Sequence, residues 1–302
     1  MNARLDWDRD GQNWPNRAAS RFVEAGGLRW HVQIAGSGPA VLLLHGMGAA
    51  THSWRGLFPA LTERFTVIAP DLPGHGFSGM PDASTLSLPG MARATADLLR
   101  TLDIEPEWVV GHSAGAAVMA RMTLDGAVAP KTLVSLNGAL LPLQSLAAQF
   151  FSPTARLLAR LPMVPPLFTF FAGDRPAVAR LIRETGSTID AEGLRCYALL
   201  TRNPGHVAGT LGMMAKWDLP SLARDLPKLR IPLLLVASRN DRTVPPAEAL
   251  RVRARVPGAR SLILPDLGHL AHEERPDLIV AAIFPPTQEA ASSHDRREFA
   301  AP

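Results

Sequence analysis

The sequence predicts an α/β protein: a doubly wound, mostly parallel sheet with a helical lid inserted into it. Short, continuously apolar runs recur along the chain, as is typical of strands buried on both faces of a parallel sheet. Segments with helical spacing separate most of these runs, and this alternation is the order of a doubly wound sheet. A long interval between residues 136 and 232 lacks any such run, which indicates the insertion.

The first sheet element is a hairpin over residues 20–35, in which alternating residues flank a Gly26-Gly27 turn. The apolar runs predict further strands at residues 41–44, 65–69, 108–110, 132–136, 232–236 and 261–264. The segments between these runs predict helices at residues 53–64, 86–102, 114–127, 246–256 and 270–283.

The long interval is rich in Leu, Phe, Met and Pro and predicts several short helices, at residues 143–151, 153–160, 164–172, 175–186, 190–201 and 204–215. Helices inserted after a strand lie over the carboxyl ends of the sheet, where ligands bind, so we interpret them as a lid. The predicted organisation is an N-terminal extension (1–19), a core (20–138 and 219–284), the helical lid (139–218) and a flexible C-terminal tail (285–302).

The charge balance argues against a nucleic-acid partner. Lysine and arginine number 31 against 27 aspartates and glutamates, which gives a formal net charge of +4. Few of the basic residues are lysines, and the arginines are spread along the chain and form no dense run. An excess this small affects solubility and does not mark a specific binding surface.

Cysteine content and hydropathy predict a cytoplasmic protein. The single cysteine, Cys196, excludes an internal disulfide and a cysteine-based zinc cluster. We expect it to be a small, partly buried apolar residue, because no reactive motif surrounds it. The N-terminal segment is charged, unlike a signal peptide. No run reaches the roughly 20 apolar residues of a membrane-spanning helix.

The segment Gly-His-Ser-Ala-Gly at residues 111–115 carries the strongest chemical signal. It fits the pattern G-x-S-x-G between a predicted strand and a predicted helix. A serine there lies on a tight turn that lifts its hydroxyl above the sheet, and the neighbours two residues away must be small. Gly111 and Gly115 meet that requirement, and Ala114 opens a helix whose N–H groups face the same point. We therefore predict that Ser113 is a catalytic nucleophile.

A serine hydroxyl needs a base within hydrogen-bonding reach. His269 is the best candidate, because it follows the last apolar run, and loops after strands lie at the edge of the sheet where ligands bind. His272 follows three residues later, but no third ligand accompanies the two at zinc-site spacing, so we predict no metal site. A solvated surface position is the prediction for four other histidines: His31, His52, His206 and His294.

The base needs an acid that fixes its tautomer and stabilises the imidazolium. Asp241 follows the run at 232–236. Along the chain the nucleophile comes first, then the acid, then the histidine, and this order differs from those of the catalytic residues in the two common classes of serine protease. Two other aspartates compete for this role. Asp266 is too near His269 in sequence to reach round to it, and Asp71 is better placed to organise its own loop.

Acyl transfer also needs N–H donors for the developing oxyanion. The residue after the nucleophile, Ala114, supplies one donor. The loop His45-Gly-Met-Gly48 follows the run at 41–44 and offers the backbone of Met47 as the second. Because the donor is a main-chain N–H, the side chain at this position is only loosely constrained. The predicted oxyanion hole is therefore formed by Met47 and Ala114.

Together these motifs resemble the α/β-hydrolase superfamily across about residues 20–284. The serine at position 113 separates the chain from haloalkane dehalogenases and epoxide hydrolases, which carry aspartate there. Further segments narrow the resemblance to the α/β-hydrolases that accompany magnesium chelatase in bacteriochlorophyll biosynthesis: residues 7–17, 26–33, 45–55, 137–142, 200–210 and 216–218. That group more often has threonine where Met47 stands, which leaves the backbone donor unchanged.

The resemblance implies a role near the insertion of magnesium into protoporphyrin. It implies a small hydrophobic substrate such as a tetrapyrrole, chelatase subunits as partners, and no cofactor, but it supplies no reaction. One hypothesis is a serine hydrolase that acts on an ester or related acyl bond. Another is a porphyrin-binding or chelatase-assisting protein whose triad is unused, and a third is a cofactor-free haloperoxidase-like or carbon–carbon hydrolase activity. The intact triad favours chemistry over binding alone.

The predicted lid allows two interpretations of its apolar segment at residues 157–171. In the favoured one, the lid packs its apolar face on the core and keeps its arginines in solvent. In the other, it forms an apolar pocket or a peripheral membrane contact, and arginines pair with the carboxylates of a flat hydrophobic ligand. The flanking arginines are Arg156, Arg160, Arg175, Arg180 and Arg183.

Overall fold

The computed structural model describes residues 4–142, 164–166, 169 and 174–284. Its sheet has eight strands in the order β1-β2-β4-β3-β5-β6-β7-β8. The hairpin β1–β2 and the pair β2–β4 are antiparallel, and the other pairs are parallel. The strands are β1 (Ser20–Ala25), β2 (Leu28–Ala35), β3 (Ala40–Leu44), β4 (Thr66–Pro70), β5 (Trp108–His112), β6 (Thr132–Leu136), β7 (Leu233–Ser238) and β8 (Arg260–Leu264).

Helices cover both faces of this sheet, which confirms the predicted α/β class and its mostly parallel, doubly wound sheet. The α-helices are α1 (Trp7–Asp10), α2 (Leu57–Thr62), α3 (Leu88–Leu102), α4 (Ala114–Leu124), α5 (Arg175–Glu184), α6 (Ala191–Thr201), α7 (Pro204–Lys216), α8 (Leu219–Asp225), α9 (Pro246–Arg253), α10 (Ala271–Glu274) and α11 (Pro276–Ile283). Short 3-10 turns lie at Arg17–Ala19, Thr51–Trp54 and Leu226–Lys228.

Strand β3 shows how the apolar runs build the core. Side chains alternate across a strand, so Leu42 and Leu44 join Met119 of α4 on one face, while Leu43 joins Trp54 on the other. All of these side chains are fully buried. Burying each contributes roughly 1.5–3 kcal/mol. A continuously apolar strand is therefore the expected one at the centre of a sheet covered on both faces.

The predicted strand at 261–264 is present, but the expectation that it is buried on both faces was wrong. Among the described residues, strand β8 pairs only with β7 and lies at the edge of the sheet. Leu262 is 38% exposed and Ile263 is 37% exposed. A short apolar run predicts a strand, but only the neighbouring strands decide whether that strand is central or at an edge.

Two predicted helices are interrupted. The segment 53–64 divides into a 3-10 turn ending at Trp54 and helix α2. The segment 270–283 divides into α10 and α11, because Pro276 disfavours the helical conformation of Arg275, which has φ −141°. The predicted helix 114–127 ends at Leu124, where Gly126 (φ 70°) and Ala127 donate to carbonyls of the last turn.

Helices α5, α6 and α7 match three of the predicted lid helices, with bounds that differ by at most two residues. Each begins at a side chain that caps it: Asp174, Asp190 and Asn203 accept backbone N–H bonds of 2.8, 2.7 and 2.9 Å. We call these three helices the cap. The predicted helices 143–151 and 153–160, most of 164–172, and the tail 285–302 lie outside the described residues.

Residues 4–19 pack against both the core and the cap. The Trp14 indole is 3% exposed, and its Nε1 donates to Thr51 Oγ1 at 2.9 Å. Arg195 of α6 donates to the Asn13 carbonyl at 2.5 Å. The Arg4 guanidinium donates to the Gly205 carbonyl at the start of α7, at 3.4 Å. In the part of the chain that the structure describes, no helix combines the length and apolar character needed to cross a bilayer.

Candidate active site

Ser113 lies between β5 and α4 in a strained backbone conformation, with φ 50° and ψ −116°. A non-glycine residue held there costs on the order of 1–3 kcal/mol and occurs mainly at functional sites. The flanking glycines make the turn feasible. A Cβ on Gly111 would lie 2.5 Å from the Ala116 nitrogen, and one on Gly115 would overlap the Leu44 carbonyl oxygen. The serine hydroxyl therefore stands above the carboxyl ends of the strands.

The structure brings the three predicted triad side chains together in one hydrogen-bonded chain. His269 Nε2 lies 3.0 Å from Ser113 Oγ, and His269 Nδ1 lies 2.8 Å from Asp241 Oδ2. A carboxylate accepts hydrogen bonds, so Nδ1 carries the imidazole proton and Nε2 is free to accept from the serine hydroxyl. This is the tautomer that a general base requires.

Asp241 is held by donors on all sides. Its Oδ1 accepts the backbone N–H groups of Thr243 and Val244, each at 2.8 Å. Its Oδ2 accepts His269 Nδ1 and also Asn137 Nδ2, the latter at 2.7 Å. Our sequence reasoning missed Asn137. A usable signal existed, because Asn137 follows β6 directly and so lies at the same edge of the sheet as the triad.

The backbone of His269 is fixed by a second histidine. His112 Nε2 donates to the His269 carbonyl at 2.9 Å, and its ring lies 4.3 Å from the His272 ring. Burial lowers the pKa of His112 well below its usual value and lowers the pKa of His272 to about 3. Both rings are therefore neutral, and they form an uncharged wall beside His269.

The loop that carries Met47 lies directly beside the nucleophile. A Cβ on Gly46 would lie 3.1 Å from the Ser113 Cβ. Within the described residues, the N–H groups of Met47 and Ala114 have no acceptor. The Gly46 carbonyl accepts from His45 Nδ1 at 2.8 Å and from the Ala49 N–H at 3.2 Å. Because a trans peptide points its C=O and N–H in opposite directions, these bonds fix the direction of the Met47 N–H.

The solvated positions predicted for His31, His52 and His206 were wrong, because these side chains are 0%, 0% and 2% exposed. His294 lies outside the described residues. His31 belongs to a second buried chain of side chains: its Nδ1 lies 2.8 Å from Asp71 Oδ2, and its Nε2 lies 3.0 Å from Ser20 Oγ.

Asp71 also accepts the backbone N–H groups of Thr51 and Phe77, at 2.7 and 2.9 Å, and so organises the loop around it. Burial alone would raise the pKa of Asp71, but His31 and the backbone donors more than offset this and lower it below the usual range. The other rejected acid, Asp266, is exposed.

An ionic network that the sequence did not reveal joins the cap to the core, and it is buried at Arg55 and Glu273 but exposed at Asp190. Arg55 pairs with Glu273 of α10 and, at 2.8 Å, with Asp190 at the start of α6. The Tyr197 hydroxyl of α6 donates to Glu273 Oε1 at 2.8 Å. Burial raises the pKa of Glu273 to about 7, although Arg55 and Tyr197 act in the opposite direction. The network crosses more than two hundred residues of sequence, so no local pattern predicts it.

Two further sequence expectations concern metal binding and the packing of the lid. Across residues 4–142 and 174–284, no cluster of three or more His, Cys, Asp and Glu side chains is arranged to hold a metal ion. On helix α5, Arg175, Arg180 and Arg183 are exposed while Val178 and Ile182 are buried. That helix agrees with a lid that packs its apolar face inward. Arg156, Arg160 and most of the apolar segment 157–171 lie outside the described residues.

Comparisons with known proteins agree with this fold. The family model for the alpha/beta hydrolase fold matches residues 39–276. The magnesium-chelatase 30 kDa subunit of Rhodobacter capsulatus is 41% identical over 267 residues, which cover 88% of this chain and 93% of that protein.

Solved structures with the same fold include two hydrolase-fold proteins of low sequence identity. An alpha/beta hydrolase fold protein from Burkholderia ambifaria has a TM-score of 0.75 at 23% identity and covers 95% of this chain and 100% of its own. An esterase from Thermogutta terrifontis has a TM-score of 0.68 at 23% identity, over 87% and 96%. Fold, family model and the close curated relative agree, so the chain belongs to the α/β-hydrolase family.

Proposed function

We propose that the chain is a serine hydrolase that cleaves an ester or related acyl bond of a small hydrophobic substrate. The observation that carries the proposal is the hydrogen-bonded chain from Ser113 through His269 to Asp241, with its serine on a strained turn. Three features coincide at this site. They are the strained backbone of Ser113, the histidine tautomer that a general base requires, and two N–H groups that have no acceptor among the described residues. Such agreement is stronger support than any single motif.

The proposed reaction has two steps. In the first, Ser113 Oγ attacks the acyl carbon while His269 Nε2 takes its proton, and the N–H groups of Met47 and Ala114 stabilise the oxyanion. His269 then gives the proton to the leaving alcohol, and the acyl group stays on the serine. In the second step His269 takes a proton from water, whose oxygen attacks the acyl carbon. The bond from the acyl carbon to Ser113 Oγ then breaks, His269 returns the proton to Oγ, and the acid leaves. Asp241 orients His269 and stabilises its imidazolium form throughout.

Apolar residues near the serine support a hydrophobic substrate. The Ala139 N–H donates to the Ser113 carbonyl at 3.0 Å, so the buried segment Ala139–Leu141 lies against the nucleophile. Leu270 follows the base and is 5% exposed. Ligand sites are lined mainly by apolar side chains. We propose a hydrophobic acyl compound, such as a tetrapyrrole ester.

Similarity to the R. capsulatus subunit supports a place for this activity beside magnesium chelatase in bacteriochlorophyll biosynthesis. The proposed partners are subunits of the chelatase. Co-purification of the tagged chain with chelatase subunits from a pigment-producing cell tests the association. Recovery of no chelatase subunit under conditions that retain a known chelatase pair would contradict it.

Labelling with a fluorophosphonate tests the nucleophile directly. We expect the wild-type protein to be labelled and Ser113→Ala to be unlabelled, because only an activated serine reacts. Ser20→Ala is the matched control, since Ser20 also lies 3.0 Å from a histidine that is bonded to a carboxylate. The control should be labelled as the wild type is. A wild-type protein that resists labelling while a control esterase reacts would overturn the proposal.

A genetic experiment separates catalysis from the porphyrin-binding hypothesis. In a strain that lacks the gene, we expect wild-type and Ser20→Ala proteins to restore pigment synthesis and Ser113→Ala to fail. Full rescue by Ser113→Ala would show that the hydroxyl is dispensable and would favour a binding role. Saturable spectral shifts on titration with protoporphyrin or its magnesium complex would then support that role.

A further inference from the structure

We infer that His206, on cap helix α7, is a positioning residue for the oxyanion loop: it holds the turn at residues 46–49 through the Gly48 carbonyl. The inference rests on the proposed serine-hydrolase function. It assigns to the cap a part in catalysis, in addition to any part in covering the site.

The geometry fixes both ring nitrogens of His206. Nδ1 accepts the Gly76 N–H at 3.0 Å, and Nε2 lies 3.1 Å from the Gly48 carbonyl oxygen. Since a nitrogen that accepts a backbone N–H carries no proton, the proton must be on Nε2, which donates to Gly48. Burial lowers the pKa of His206 to about 3, so this single neutral tautomer persists at ordinary pH.

The Gly48 carbonyl belongs to the turn that presents the Met47 N–H. Gly48 has φ 75°, and the turn closes through the bond from the Ala49 N–H to the Gly46 carbonyl. At one end of the turn, His45 holds the Gly46 carbonyl. At the other end, His206 holds the Gly48 carbonyl. The donor peptide between Gly46 and Met47 is thus braced from both sides, once by the core and once by the cap.

His206 itself is held rigidly. Its backbone N–H donates to the Asn203 side chain that caps α7. A Cβ on Gly209 of the same helix would overlap the Gly74 carbonyl oxygen, so helix and loop are in backbone contact. Arg4 donates to the Gly74 and Gly76 carbonyls on the loop and to the Gly205 carbonyl on the helix. Displacement of the helix would therefore carry the Nε2 donor away from Gly48.

Two substitutions separate the two bonds of His206. His206→Gln places an amide nitrogen near the position of Nε2 and keeps a donor for Gly48. His206→Asn places an amide oxygen near the position of Nδ1 and keeps an acceptor for Gly76, but it is too short to reach Gly48. Each variant loses one hydrogen bond of the folded protein, so we expect similar losses in melting temperature.

The two variants should differ in catalysis. Removing an oxyanion donor outright lowers kcat by about 10²–10³-fold. Loosening its support should cost less, so for a p-nitrophenyl ester we expect His206→Asn to lower kcat about tenfold with little change in KM. The second-order rate of fluorophosphonate labelling should fall by a similar factor. His206→Gln should retain most of the wild-type kcat and labelling rate.

The outcomes distinguish this inference from the proposed function. If the wild-type protein is neither labelled nor active, the serine-hydrolase proposal fails and this inference fails with it. If the wild type is active and His206→Asn keeps the wild-type kcat and labelling rate, only the role of His206 is overturned. Equal losses of kcat in both variants, in parallel with their melting temperatures, would also overturn it, because a structural role predicts that pattern.

Discussion

Two buried Ser–His–Asp chains in this protein have the same hydrogen-bond lengths and different surroundings. In one, His269 lies 2.8 Å from Asp241 and 3.0 Å from Ser113. In the other, His31 lies 2.8 Å from Asp71 and 3.0 Å from Ser20. The hydrogen-bond distances between the three side chains therefore do not distinguish a nucleophilic serine from a structural one.

The backbone around each serine makes the difference. Ser113 has φ 50° and precedes helix α4, whereas Ser20 has φ −75° and begins strand β1. A helix start supplies N–H groups for an oxyanion, but an extended strand uses its N–H groups for pairing. The Ser20 hydroxyl also accepts from Gln33 Nε2 at 3.3 Å. We interpret the second chain as a structural network that ties the hairpin to β4.

The largest expected contrast comes from the two carboxylates. Asp241→Asn should lower kcat by about 10⁴-fold with little change in folding, because an amide stabilises the wrong histidine tautomer. Asp71→Asn should leave the kcat of the folded protein within a few-fold of wild type but lower the unfolding free energy by about 3 kcal/mol, since it weakens a buried pair. Ester hydrolysis and urea unfolding of both variants provide the measurements.

The reversed pattern, with activity abolished in Asp71→Asn and retained in Asp241→Asn, would make the network of Asp71 the catalytic one and that of Asp241 the structural one. Comparable losses of activity in Asp71→Asn and Asp241→Asn would show that the two Ser–His–Asp networks act together. Either result would break the distinction drawn from the backbone around each serine.

A smaller effect is expected at Asn137: in the part of the chain that the structure describes, no side-chain amide donates to Asp71 in the way that Asn137 donates to Asp241. Asn137→Ala removes the Nδ2 donor 2.7 Å from Asp241 Oδ2, so the carboxylate is less firmly oriented toward His269. We expect kcat to fall about tenfold, as for a lost supporting bond, with KM nearly unchanged. Asn137→Asp is the complementary variant: it brings a second carboxylate against Asp241 and should raise the pH at which kcat reaches half its maximum. An unshifted pH profile in Asn137→Asp would contradict direct contact.

The smallest effect concerns pH and stability. Burial lowers the pKa of His272 and of His206 to about 3, below the usual value of about 6.5. As the pH falls from about 6.5 towards 4.5, the unfolded chain binds protons at these sites while the folded chain does not. Each site therefore lowers the unfolding free energy by roughly 1.4 kcal/mol per pH unit.

Glu273 works in the opposite direction over this window, because its pKa is raised to about 7. His272→Phe keeps an aromatic ring against Trp54 and removes one titrating group. Denaturant unfolding at several pH values should then show a slope that is shallower by about 1.4 kcal/mol per pH unit. An unchanged slope would mean that His272 titrates equally in the folded and unfolded chains.

The reason the triad could be predicted lies in the sheet. Ser113, Asp241 and His269 each follow a strand of the parallel part of the sheet, and parallel strands end at the same edge, so position after a strand implies proximity. Gly111 and Gly115 indicate the tight turn at Ser113 directly from the sequence, because the turn requires small residues at these positions. Asn137 obeys the same rule and could have been found by it.

The burial of the histidines could not be predicted in this way. His206 lies 158 residues from the Gly48 carbonyl that it contacts, and the bond from His31 to Asp71 spans 40 residues. His31 lies in the predicted hairpin and His206 in a predicted lid helix. Histidine is intermediate between the residue types that are usually buried and those that are usually exposed, and nothing in the immediate neighbours of these two residues indicates burial. Edge strand β8 gives the same lesson, because its apolar run resembles that of a central strand.

By itself the sequence determined the class of fold, the order of strands and helices along the chain, and the candidates for nucleophile, acid and base. These features depend on local patterns: apolar runs, helical spacing, small residues beside Ser113 and the residues that follow each strand. The tertiary structure decided which strand is at the edge, which histidines are buried and neutral, and which of two equal Ser–His–Asp chains stands beside N–H groups that could stabilise an oxyanion. Burial and protonation depend on atoms brought from distant parts of the chain, and only packing supplies those neighbours.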